Sequence, residues 1–374
     1  MPEIFGRVGG IQTYSAFVLE ALKQLRFSCS VFLKHDLSYP SGFCAPPNFS
    51  YHFSGAWPAS IRTQAFASKV LGMGAWQRPH LIIATHLNFA AAAYWLKRLT
   101  GAPYWVVAHG VEAWGIERTD LRRALLHADR LLAVSSYTRK RLIDEHEISP
   151  HKISLLPDTF NPQAFKILPK PAYLLNRYGL QPDQSIVLTV ARLAAREQYK
   201  GYDKIINALP RVRRELPRVH YLIVGEGDDR ARIENVVGQL DLRDSVTFAG
   251  FVPAAELSDH YNLCDVFAMP SKGEGFGIVY LEALACGKPV LAGNRDGSVD
   301  ALLNGELGAL IDPDDPEEIA NSLISILRGA YPHELMYKPE ALRQKVSESY
   351  GFDRFADSLS RYLQEFFAST DLAF

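Results

Sequence analysis

A leader-like start, a membrane-length apolar run, paired cysteines and an excess of basic charge are all missing from this sequence. Its opening, Met1-Pro2-Glu3-Ile4-Phe5-Gly6-Arg7, has no long apolar stretch of the kind a secretory leader carries. The most apolar stretch, Leu81 to Leu96, contains His86 and Asn88 and is shorter than the ~20 residues of a membrane span. It reads as a buried strand running into an alanine-rich helix. The four cysteines, Cys29, Cys44, Cys264 and Cys286, lie far apart with no Cys-x-x-Cys pair. That argues against a disulfide framework or a zinc site and suits a reducing cytosol. A formal net charge of −1 leaves no basic field for nucleic acid. Short repeats and low-complexity tracts are absent as well. Together these absences imply a cytoplasmic protein, at most peripheral on the inner face of a membrane.

What is present is globular. At ~150 residues per domain, 374 residues suggest two domains, and 48% hydrophobic with 22% charged residues is enough for a sizeable core. Short β-branched runs alternate with helical patterns, which argues for parallel sheets covered on both faces. Before residue 157 the strands fit at Cys29–Leu33, Leu81–Ala84, Trp105–Ala108, Leu131–Val134 and Ile153–Leu155. A stretch with Pro157, Pro162, Pro169 and Pro171 follows and reads as a linker, since proline fixes φ and removes a donor. The pattern then restarts, with strands at Ile186–Ala191, Tyr221–Val224, Val246–Phe248, Val266–Met269, Val290–Ala292 and Ala309–Ile311. The expectation is an α/β protein of two doubly wound Rossmann-like domains facing across a cleft, residues 1–165 and 166–351. The amphipathic end, 352–374, belongs to either.

Ligands in such sheets sit at the carboxyl ends of strands, so the loops there carry the chemistry. The most specific is Ser271-Lys272-Gly273-Glu274-Gly275-Phe276-Gly277-Ile278, between a strand and a helix. Its glycines allow close backbone approach, and the N–H groups opening the helix make an anion or hydroxyl site. Glu274 falls in the loop and Glu282 about one turn into the helix, each able to accept hydrogen bonds from paired sugar hydroxyls. Glu282 stands among Leu281, Ala283 and Leu284, where an unpaired charge would be costly. Arg192 and Lys200 follow another strand end, as a fork and a point charge that can hold a diphosphate. The plainer reading of that pair is a solvated basic loop, with Arg196 beside it.

Glu274 and Glu282, with seven residues between them in a Gly-Phe-Gly context, resemble the E-x7-E signature of family 4 glycosyltransferases of GT-B fold. Ala285-Cys286-Gly287-Lys288-Pro289-Val290, Arg192-Leu193 with Lys200-Gly201, and His109-Gly110 resemble the same family. The resemblance implies that Glu274 binds hydroxyls of a donor hexose and Glu282 the ribose of its nucleotide. Gly275, Phe276, Gly277 and Ile278 would offer backbone contacts. Phe251 and Val252 would rest the base, and Gly9-Gly10 would bring main-chain N–H groups to the diphosphate. His109 would contact the transferring sugar. Glu112 either binds the acceptor or caps the next helix.

The function implied is retaining transfer of a hexose from a UDP- or GDP-sugar to a glycan or lipid-linked acceptor, without cofactor. No Asp-x-Asp stands at a plausible strand end, and Asp312-Pro313-Asp314-Asp315 reads as a turn and helix start. Arg192, Lys200 and helix N-termini are therefore expected to neutralise the leaving diphosphate without a metal. A nucleotide-sugar epimerase, a phosphorylase or a non-catalytic nucleotide-sugar-binding module are the rivals. The clusters Leu121-Arg122-Arg123 and Arg139-Lys140-Arg141 would touch an anionic membrane or simply face water. One absence stands apart. A phosphate-binding glycine turn normally follows the first strand of a doubly wound domain, yet only eight residues precede Gly9. An apolar strand upstream of Met1 is expected, without which a central place in the first sheet would be empty.

Overall fold

The computed structural model describes residues 1–6 and 9–369. The chain divides into two compact units, Met1–Thr159 with the chain from Asp353 onward, and Phe160–Phe352. The change of unit thus falls at Thr159, ahead of residue 165, and the final helix, Phe352–Ser369, groups with the first unit.

The second unit holds a six-stranded parallel sheet in the order β12-β11-β10-β7-β8-β9. Its strands are β7 (Ile186–Val190), β8 (His220–Val224), β9 (Val246–Gly250), β10 (Val266–Met269), β11 (Val290–Gly293) and β12 (Ala309–Ile311). Counted within the unit, the order is the reverse of 3-2-1-4-5-6, the doubly wound arrangement whose direction switches between first and fourth strands. β8 and β10 are buried at every residue, as continuous apolar runs covered by helices on both faces require. Helix Tyr202–Glu215 buries Tyr202, Ile205, Ile206, Leu209 and Val212, one stripe at helical spacing. Helix Pro316–Leu327 opens as its sequence indicates: Pro316 takes the first turn and the Asp315 carboxylate accepts from the Glu317 and Glu318 amides. Such a cap is worth ~1 kcal/mol.

Among the described residues the first unit has six strands, where five were expected: β1 (Cys29–Leu33), β2 (Phe49–Phe53), β3 (Ile82–Ala84), β4 (Tyr104–Ala108), β5 (Arg130–Ala133) and β6 (Ile153–Leu155). β2 is the addition. It pairs in parallel with β1, from Cys29 opposite Phe49 to Leu33 opposite Phe53. The strands form two sheets, β1-β2 and β3-β4-β5-β6. Among the described residues no helix is long and apolar enough to cross a membrane.

Candidate active site

Lys200 and Glu274 meet because β7 and β10 are neighbours at the switch of strand order, and Arg192 stands on the same loop as Lys200. The loop after β7 and the loop after β10 meet edge to edge. Gly201 sits at φ +77°, and a Cβ there would come within 2.2 Å of the Pro270 carbonyl oxygen. Only glycine meets both conditions. The Lys272 amide donates to the Tyr199 carbonyl at 3.0 Å. This stitching brings the Lys200 ammonium into an ion pair with the Glu274 carboxylate, both side chains less than 16% exposed. Arg192 is held as a fork, Nη2 at 2.5 Å from Glu197 Oε1 and Nε donating to Oε2 at 3.2 Å. The Glu197 side chain is only 7% exposed, whereas that of Arg192 is 64% exposed, so the guanidinium stands in the open above a buried anchor.

The Glu274 loop is fastened from β11. Its amide donates to Asp296 Oδ2 at 2.6 Å, and its carbonyl accepts from the Gly297 amide at 2.9 Å. The other Asp296 oxygen accepts from the Ser298 amide and hydroxyl, at 2.9 and 2.6 Å. Burial pushes the Asp296 carboxyl above its usual range, against these hydrogen bonds. Gly297 lies so close that a Cβ would meet the Gly275 carbonyl oxygen at 2.0 Å. The Phe276 ring turns into the core, edge-on to Tyr350 at 5.2 Å. Gly277 caps helix Ile278–Ala285 with no side-chain hydrogen bond to the opening turn.

Glu282 is buried inside that helix. The Tyr261 hydroxyl donates to its Oε2 at 2.7 Å, and desolvation raises its pKa to about 7 against the pull of that bond. Phe251 follows β9 and is 65% exposed, and Val252 is half-buried. Their loop joins the others through Gly225, whose amide donates to the Gly250 carbonyl and whose Cα packs against the Ala191 carbonyl.

Gly9, Gly10 and His109 belong to the first unit and form a group of their own. Gly9 is extended and opens helix Gly10–Gln24 without a side-chain cap. Tyr14, from that helix, meets the His109 ring edge-on at 4.9 Å. His109 Nε2 lies 2.8 Å from the Thr85 carbonyl oxygen, which can only accept, so Nε2 carries the proton. Burial holds the imidazole below its ordinary pKa, and the neutral ring presents Nδ1 as an acceptor. Glu112 accepts from the His109 amide at 2.6 Å, closing that turn.

Sequence reasoning missed Asp296, Glu197 and Tyr261. Asp296-Gly297-Ser298 directly after β11 was a usable signal, a turn triplet at a strand's carboxyl end. Nothing in sequence marked Tyr261, which reaches Glu282 from another helix. Among the described residues no group of three or more His, Cys, Asp or Glu is placed to hold a metal ion.

Family models match both halves of the chain. The model of "Glycosyl transferases group 1" matches residues 174–344, and that of "Glycosyltransferase Family 4" matches residues 8–163. The chain is similar to the GDP-mannose-dependent alpha-(1-6)-phosphatidylinositol monomannoside mannosyltransferases of two mycobacteria. Identity is 36% over 62% of this chain and 63% of the Mycolicibacterium smegmatis protein, so the match spans just under two thirds of that relative. It is 32% over 71% of each chain for Mycobacterium tuberculosis. Among solved structures, HepE of Anabaena in complex with UDP and glucose superposes with a TM-score of 0.77 at 19% identity, covering 96% of this chain and 97% of its own. That likeness shows a shared fold. With each half matched by its own model and a relative above 30% identity along most of the length, the chain belongs to the family 4 glycosyltransferases of GT-B fold.

Proposed function

We propose that the protein transfers a hexose, with retention and without a metal ion, from a nucleotide diphosphate sugar to a glycan or lipid-linked acceptor. The observation that carries this reading is the ion pair of Lys200 with Glu274 at the switch of strand order, with the exposed Arg192 guanidinium on the same loop as Lys200 and Glu282 in the helix that follows Glu274. In this reading the donor diphosphate takes the place of carboxylates at the two cations. Lys200 moves from Glu274 to phosphate, and Glu274 turns to the hexose hydroxyls. Arg192 already points outward. The exposed Phe251 ring and Val252 rest the base, and Glu282 accepts from the ribose. Helix openings at Gly277–Ile278 and Gly9–Gly10 supply N–H groups to the phosphates. His109 faces the transferring sugar.

As the anomeric bond stretches, positive charge builds on the sugar and negative charge on the leaving diphosphate. Fixed cations stabilise the second of these without reorganising. The acceptor oxygen attacks on the face the phosphate leaves, and the phosphate takes its proton. The mycobacterial relatives make GDP-mannose the first donor to test and a phosphatidylinositol mannoside the first acceptor, with contact to a membrane surface following from such a lipid. The experiment is turnover of GDP-mannose, UDP-glucose and related donors with and without acceptor. Transfer that needs acceptor and survives EDTA is expected. An isomerised sugar nucleotide without acceptor would make the protein an epimerase, and binding without turnover a nucleotide-sugar-binding module.

A further inference from the structure

A single phenol decides which oxygen of Glu282 is left for a ligand. Helix Ala254–Leu263 packs beside helix Ile278–Ala285 and sends Tyr261 to the Glu282 carboxylate. The Tyr261 ring is fully buried and packed against two others, edge-on to Phe165 at 5.8 Å and tilted to Phe267 of β10 at 5.7 Å. Its hydroxyl donates to Oε2 at 2.7 Å, the one hydrogen bond that the Glu282 side chain makes among the described residues. Oε1 has no partner among them and still reaches solvent. The two oxygens of one carboxylate are thus unequal, one tied inside and one open.

Burial fixes the direction of the bond. Desolvation, and after it the Glu282 charge, push the Tyr261 phenol well above its ordinary pKa, so it keeps the proton it donates. Desolvation also raises Glu282, to about 7, while the phenol pulls the other way. A proton that does arrive finds Oε2 taken and goes to Oε1, where it turns the open acceptor into a donor. No other charged side chain bonds to the pair among the described residues. His260, next to Tyr261, is held by the Tyr178 hydroxyl and the Glu256 carbonyl. Burial pushes the Cys264 and Cys286 thiols up to about 12, so both stay neutral. Lys288 donates to the Asn262 carbonyl, and Arg343 of helix Pro339–Tyr350 to the Pro162, Phe165 and Ala285 carbonyls. Asp300 is the one acid of helix Ser298–Ala301, and β11 brings no titratable group.

We propose that Tyr261 is a positioning residue for nucleotide recognition, which ties Oε2 inside, keeps Glu282 a carboxylate and leaves Oε1 as the acceptor for the ribose hydroxyls. This rests on the assignment of Glu282 to the ribose. Protonated Glu282 offers a donor where the ribose needs an acceptor, so ribose recognition strengthens as pH rises through about 7. Without the phenol, Glu282 loses the hydrogen bond that favours its charged form and holds its proton to higher pH. Ribose recognition then moves to higher pH with it.

The test measures affinities of the parent, Tyr261→Phe and Glu282→Gln for GDP, UDP and their 2′,3′-dideoxy counterparts between pH 6 and pH 9. The ratio of ribo to dideoxy affinity isolates the sugar hydroxyls, because the phosphates titrate alike in both. In the parent this ratio should grow through pH 7, and in Glu282→Gln it should not vary with pH. In Tyr261→Phe it should be about tenfold smaller at pH 7 and recover toward pH 9, with dideoxy affinity unchanged within about twofold. A Phe variant that matches the parent at every pH overturns the inference. So does a loss that is equal at every pH or falls equally on the dideoxy nucleotides, which makes the phenol a packing group, and so does a Gln variant that keeps the parent's pH dependence. A parent without ribose preference fails at an earlier step, since it takes Glu282 off the ribose and removes the reading on which Tyr261 rests. Should Tyr261→Phe fail to fold, carboxyl NMR of the parent decides. Glu282 should titrate near 7 alone and markedly lower with GDP bound, and a midpoint that nucleotide leaves unmoved overturns the inference.

Discussion

The loop Ser271–Gly277 and the helix Ile278–Ala285 are contiguous, and each presents one glutamate, yet they treat that carboxylate in opposite ways. The loop is polar and tied down by Asp296 and Gly297, and Glu274 faces the Lys200 ammonium. The helix is packed on all sides, and the Glu282 carboxyl meets a phenol in a desolvated setting that raises its pKa to about 7. A ligand reaching Glu274 exchanges partners with a cation. A ligand reaching Glu282 must bring hydroxyl donors into a dry place, where an unmade hydrogen bond costs about 1–3 kcal/mol. One residue type thus supports two tasks, and the environment assigns them.

The sharpest way to break this contrast is Glu274→Gln. Transfer should fall by about a hundredfold or more, as for other groups acting at the reacting centre, while affinity for the free nucleoside diphosphate stays within about twofold. Calorimetric titration beside turnover decides it, and a nucleotide affinity lost in parallel with turnover would erase the division. Next comes Arg192→Ala, which should lower kcat by about 2.7 kcal/mol or more, the effect of removing one preorganised donor. The companion measurement is a chelator series. Turnover stopped by EDTA and restored by manganese would place the charge neutralisation on a metal instead. Glu282→Gln should weaken nucleotide binding by about 1.5–3 kcal/mol, the worth of a hydrogen bond to a charged group, with kcat at saturating donor much less affected.

The smallest effect is on stability. The folded pKa of Glu282 lies above its unfolded value near 4.5, so its contribution is fully present below pH 4.5 and is lost as pH rises to about 7. Urea midpoints at pH 5 and pH 8 should show the Gln variant, which cannot ionise, losing less stability over this interval than the parent. Identical pH slopes would mean that Glu282 is ionised throughout and differs little from Glu274.

Much of the second unit was legible because its strands are short β-branched runs bounded by turns, a pattern the doubly wound fold requires. The first unit was less so. β2 reads Phe-Ser-Tyr-His-Phe behind Pro46-Pro47, half-buried, with polar residues between the aromatics, and its pattern does not separate it from a loop. Helix Ala59–Gln77 buries only Phe66 and Gly74, and without an apolar stripe periodicity could not find it. In the candidate site, Glu274, Glu282, Arg192 and Lys200 could be picked out because glycines and strand ends mark them. Their partners Asp296, Glu197 and Tyr261 could not, since carboxylates and phenols of this kind are scattered along any chain.

By itself the sequence determined the fold class, the family and which side chains sit at strand ends, because hydrophobic period and turn chemistry are local properties. Strand order was decided only in three dimensions. It brings β7 beside β10 and so places Lys200 against Glu274 from 74 residues away. The charge states of Glu282 and His109 were likewise decided there, since desolvation depends on what packs around a group and not on its neighbours in the chain.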